Sequence, residues 1–252
     1  MYSARDRFVA DDPVKDAEAT EEAPGGSKKN LTIILALLAV IGGGSAYFVL
    51  SRDQETPAQK LGQALELIDN RETNWQIREA MEIVRELDEL NYVDPDFPSA
   101  QHYIRGLGAF YTGREFTGEE QQKRYLEAIE NFEHAFRRAM PSERRGELIW
   151  ALGVALQTVS LPTKAREFLE ESLDVYPDGS VEASILLMEN YLDQQTRDSL
   201  ERAITLSDEL PTRGRITDAQ ATRAALLRTN ILEKQGKTDE ATETLETVDI
   251  GS

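Results

Sequence analysis

The 252 residues contain no cysteine and only two histidines, His102 and His134. No disulfide braces the fold, and the missing thiols fit either side of a membrane, so they leave the compartment open. The two histidines are far apart in sequence and lack the i, i+4 spacing around a glutamate that marks a helical zinc site. Each is expected at a surface or an interface. No G-x-x-x-x-G-K-[ST] phosphate loop and no G-x-S-x-G nucleophile elbow occurs, and Gly106-Leu107-Gly108 is expected to serve close packing inside a helix. Acidic pairs such as Glu119-Glu120 and Glu170-Glu171 belong on solvated helix faces, and among 46 acids no catalytic pair stands out. Nothing in this inventory asks for an enzyme, a metal or a cofactor.

Positive charge is also scarce. Against 46 acids stand 28 lysines and arginines, a net charge of -18. Nucleic acid is therefore excluded as a partner, because phosphate binding needs concentrated positive charge. The charge is unevenly placed. Residues 1–30 carry seven acids and five bases with Pro13, Pro24, Gly25 and Gly26, which describes a disordered acidic tail; residues 51–252 keep 39 acids and 23 bases. The larger portion is then repelled by anionic headgroups and stands off a membrane surface.

From Leu31 to Leu50 the chain runs twenty residues without a charge, between Lys28-Lys29 and Ser51-Arg52. At about 1.5 Å per residue such a helix covers roughly 30 Å, the thickness of a bilayer's hydrocarbon core. The segment reads as a single transmembrane anchor. A cleaved signal peptide is the rival, given the small residues Gly44-Ser45-Ala46, but the long acidic leader and the apolar Tyr47–Leu50 beyond them speak against cleavage. Lys15, Lys28 and Lys29 before the span, against Arg52 and Lys60 after it, favour a cytoplasmic N-terminus and an extracytoplasmic C-terminal domain. Ala39 with Gly43, and Gly42 with Ala46, put small residues four apart, the spacing of weakly dimerising membrane helices.

After a linker at 51–55, the portion 56–252 shows apolar residues three and four apart and scarcely any strand-like alternation, so the fold class is all-α. A longer period overlies the helical one. Ala165 to Ser199 and Pro177 to Pro211 are each 34 residues apart. In residues 146–179, Leu152-Gly153 sit in a first helix, and Ala165, Leu169 and Ser172 in a second that Pro177 closes. Residues 180–213 repeat Leu186, Ser199, Ala203 and Pro211 but place Leu187 where the glycine stood. Upstream, Leu107-Gly108, Tyr111, Ala128, Phe132, Ala135 and Pro141 form a unit about eight residues longer. Its excess is expected in an extended loop around Phe116–Glu119, before a helix over 125–139. Ala80, Val84 and Leu87, and Gly236, Ala241, Leu245 and Val248, mark weaker units at the two ends. This pattern resembles the tetratricopeptide repeat (TPR), a helix-turn-helix of 34 residues, and predicts an α-solenoid of about five hairpins.

The resemblance implies a function of recognition: a membrane-anchored scaffold for other proteins or peptides, with membership in a protein export or envelope assembly machine as the alternative. It also implies an inner wall of first-helix residues. Carried over, these are His102, Arg105, Ala109 and Thr112, then Glu147, Trp150, Val154 and Gln157, then Ser184, Met188 and Tyr191. The candidate groove within them is His102, Arg105, Trp150, Val154, Gln157, Met188 and Tyr191, with the aromatic and thioether groups as apolar anchors unless they pack between repeats. A second candidate is the basic patch Arg137, Arg138, Arg144 and Arg145, suited to an acidic partner unless Glu133, Glu143 and Glu147 neutralise it.

Overall fold

The computed structural model describes residues 55–246. They form ten α-helices in five antiparallel hairpins: α1 (Pro57–Asp69) with α2 (Asn74–Glu89), α3 (Ala100–Gly113) with α4 (Gly118–Phe136), α5 (Ser142–Thr158) with α6 (Pro162–Val175), α7 (Ser180–Gln194) with α8 (Arg197–Arg213), and α9 (Asp218–Lys234) with α10 (Thr238–Glu246). Each hairpin packs on itself, each second helix packs on the next first helix, and the first helices of all five hairpins also touch in series. Neighbouring second helices hardly meet, so the side they form is open between them.

Local chemistry sets the helix starts. Thr56 accepts from the Gln59 amide at 3.2 Å while the Gln59 side chain accepts from the Thr56 amide at 2.8 Å, a reciprocal cap that Thr217 and Gln220 repeat at α9. Pro57 and Pro162 occupy first-turn positions, where the missing N–H costs nothing.

The core confirms why the small residues sit where they do. A Cβ on Gly153 would lie 2.9 Å from the Leu169 side chain and 3.1 Å from its backbone nitrogen, so glycine is what lets α5 and α6 close on each other. Gly106 lies against the Phe132 ring and Gly108 against Met81. Phe110 joins two hairpins, with ring centroids 6.5 Å from Phe132 and 5.3 Å from Trp150. Burying each such side chain contributes roughly 1.5–3 kcal/mol.

Three expectations are corrected. The extra length of the second unit is not a loop: 114–117 is a short connection, and the surplus extends α4 forward to Gly118, whose φ of 67° favours glycine. That helix ends at Phe136, leaving 137–139 outside it. Pro211 does not close α8 but lies within it, and the helix continues to Arg213 before Gly214. Among the described residues no helix is long and apolar enough to cross a membrane. The tail at 1–30, the span Leu31–Leu50, and Val248 lie outside the described residues.

Candidate functional site

The first-helix side carries a polar network centred on Glu147, which is 8% exposed. One carboxylate oxygen accepts from the Tyr103 hydroxyl at 2.8 Å, and the other accepts from the Tyr111 hydroxyl at 3.0 Å and from the Arg71 guanidinium. Arg71 also donates to the Ile68 carbonyl at 2.6 Å and stacks 4.4 Å over the Tyr111 ring. Beside it, Arg144 grips Asp69 through two hydrogen bonds of 2.6 and 2.7 Å. Three hairpins are thereby joined through side chains. A fourth is reached by Arg114, which donates to Glu182 at 2.6 Å from a position over the Phe110 and Trp150 rings.

Burial and the Glu147 charge hold the Tyr103 and Tyr111 phenols well above their ordinary pKa, and the same two causes push Tyr176 up to about 12. Burial opposes the charge on Arg71, but Glu147 and Tyr111 outweigh it and leave its pKa raised. The three phenols keep their protons and Arg71 its charge across the physiological range. The network is a rigid polar seam, and among the described residues no cluster of three histidines or acids is placed to hold a metal.

Comparison with known proteins bears on this arrangement. No family model and no curated protein matches the sequence. Among solved structures, the crystal structure of YrrB, described as a TPR protein with an unusual peptide-binding site, superposes with a TM-score of 0.56 at 17% identity, covering 81% of this chain and 90% of that one. The fold is that of a TPR protein. Its hairpins stack here as the 34-residue period predicts.

Within the TPR stack, the expected apolar anchors are closed. Trp150 (5% exposed) lies between Phe110 and Tyr176, Val154 and Met188 are buried, and Tyr191 directs its hydroxyl to Glu170. Gln157 is occupied as well, accepting from Asn190 at 2.7 Å. Helical periodicity marks which face is apolar but not whether a neighbouring helix covers it. His102 and Arg105 take a different direction from these. The His102 Nδ1 lies 3.3 Å from Asn131 Oδ1 on α4 and its ring stacks on His134 at 5.0 Å, while Arg105 pairs with Asp88 on α2. Both therefore meet second helices.

The basic patch is divided in a similar way. Arg137 pairs with Glu133, Arg144 with Asp69 and Arg145 with Glu171, whereas the Arg138 guanidinium has no ion-pair partner among the described residues. Arg138 instead lines a cleft of about 320 Å³ together with His102, Arg105 and Asp88. The structure thus brings members of both candidate sets into one place on the second-helix side. Arg71, Tyr103 and Tyr176 were missed by sequence reasoning, because a loop arginine, a single helix tyrosine and a tyrosine just past a helix end give no periodic signal. Glu147, an acid carried over to the inner wall at the edge of the apolar run 148–156, was the signal available.

Proposed function

We propose that the chain is a membrane-anchored TPR scaffold that holds other polypeptides and performs no catalysis of its own. The stack of five hairpins supports this reading, together with its likeness to a solved TPR protein described as having a peptide-binding site. The anchor of this reading is Leu31–Leu50, and the lysines before it favour an N-terminus in the cytoplasm with the TPR domain on the far side. The contact surface lies on the first-helix side, where Thr112 and Tyr111 are half-buried and Arg114 is exposed beside Glu182. Charged groups held in fixed positions by ion pairs offer a partner backbone or side chain an ordered surface with little entropy left to lose.

Affinity capture of the full chain from a detergent extract tests the proposal. One or more polypeptides are expected with the wild type, at a level reduced at least severalfold by Arg114→Glu. The reading fails if residues 1–54 alone retain the same polypeptides, or if Arg114→Glu leaves every one of them in place.

A further inference from the structure

We propose that the cleft formed by the end of α2, the α2–α3 connection and α3, and closed by Arg138 just beyond α4, is a binding site for a single carboxylate of a partner polypeptide, with Arg138 as its principal cation and His102 as a proton-gated second donor. The site is distinct from the first-helix side, but it rests on the reading that the domain binds polypeptides.

The cleft opens on the second-helix side, where neighbouring second helices hardly touch and His102 and Arg105 of α3 are only half-buried. The cleft of about 320 Å³ has room for a side chain. Its charge is what sets it apart. Arg105 and Arg138 contribute two positive charges and Asp88 removes one by pairing with Arg105, so the lining residues themselves leave one positive charge over. A comparable cleft between α8 and α10 has its arginine, Arg228, satisfied by Asp208 at 2.6 Å. In a domain with 16 more acids than bases, an arginine that lines a cleft without an ion-pair partner among the described residues stands out.

The state of His102 can be derived from its neighbours. The Asn131 amide nitrogen donates to the Glu127 carbonyl at 2.9 Å, so the Asn131 oxygen faces His102 and accepts from Nδ1–H. The proton of the neutral ring is thus on Nδ1, and Nε2 carries a bare lone pair. That nitrogen becomes a donor only when the ring takes a second proton. Burial, then Arg138 and His134, hold the His102 pKa below its ordinary value, with Asn131 and Glu130 acting the other way. A carboxylate in the cleft cancels the Arg138 repulsion and favours the protonated ring, so binding and proton uptake reinforce each other.

Because the chain has two histidines, their ring signals are separable by NMR in the full chain kept in non-ionic detergent. The probes are N-acetyl-Gly-Glu-Gly amide, its Gln counterpart, and inorganic phosphate. The Glu peptide is expected to shift the His102 signals saturably and the Gln peptide to leave them unmoved. Affinity should rise as pH falls from about 7.5 to about 6, by at most about tenfold per pH unit for one linked proton. Arg138→Ala should weaken binding at least severalfold with unchanged helical circular dichroism, and His102→Gln should flatten the pH dependence. Equal shifts from both peptides, a response to phosphate without one to the Glu peptide, or full affinity in Arg138→Ala would overturn the assignment. Failure of the capture experiment with this titration intact would instead sink the scaffold reading alone.

Discussion

Glu147 shows how one residue can fix the relation between repeats. From the third hairpin its carboxylate answers two phenols of the second and a guanidinium of the first, and the side chains of the ion pair with Arg71 are only 19% and 11% exposed. Replacing it with leucine strands Arg71 in a poorly solvated place. The expected cost is about 2–4 kcal/mol, near the lower part of the range for breaking a buried pair because some solvent access remains. Urea denaturation should show the loss, and Tyr111→Phe, which removes one hydroxyl, should cost about 1 kcal/mol by the same measurement. The alkaline limb of stability belongs to this scale as well. Tyr176 has its folded pKa raised above the unfolded value of about 10. Its contribution is therefore complete below pH 10 and is lost as the pH climbs through about 12. Thermal melts across that window, with Tyr176→Phe as the comparison, should show a shallower decline in the variant.

At the scale of the helix pair, the fourth hairpin explains its own departure from the repeat. Gly153 opposes Leu169 in the third hairpin; the positions 34 residues later are Leu187 and Ala203, both fully buried. The bulk has moved from the second helix to the first, and the space between the helices is filled either way. A repeat pattern scored residue by residue reads this as decay, whereas packing density reads it as an exchange. Leu187→Ala is expected to cost about 2–5 kcal/mol and Ala203→Leu about 1–3 kcal/mol. Combined, they should cost clearly less than their sum, because the leucine of one fills the void of the other. An additive double mutant would show that the two positions do not share a cavity. The lengthened α4 carries a related lesson. Gly118 and Thr117 suggested a loop on composition, but a glycine with positive φ followed by Glu119 and Glu120 also suits a helix start, where acids favour the N-terminal dipole.

For the whole molecule, the proposed tether of the acidic helical stack through Leu31–Leu50 has a direct test. Alkaline carbonate should leave the full-length protein with sealed vesicles, while deletion of residues 1–54 should release it with its helical circular dichroism intact. Release of the intact chain would remove the tether from the account and leave the stack untouched. Protease added outside intact cells should remove the TPR domain if it faces away from the cytoplasm.

The sequence by itself determined the all-helical class, the five hairpins and the packing duties of Gly153, Ala165 and Leu169. Those depend on short-range periodicity and on a repeat that places like residues against like neighbours. The tertiary structure alone decided which first-helix side chains are covered. Trp150 and Met188 look like anchors on a helical wheel, yet the adjacent hairpins bury them, while Arg71 reaches Glu147 across 76 residues of sequence. It also decided that His102, Arg105 and Arg138 share a cleft while Arg144 does not join them. Burial and ion pairing between hairpins depend on which faces meet, and a one-dimensional period carries the spacing of residues along a helix but not the neighbour waiting opposite.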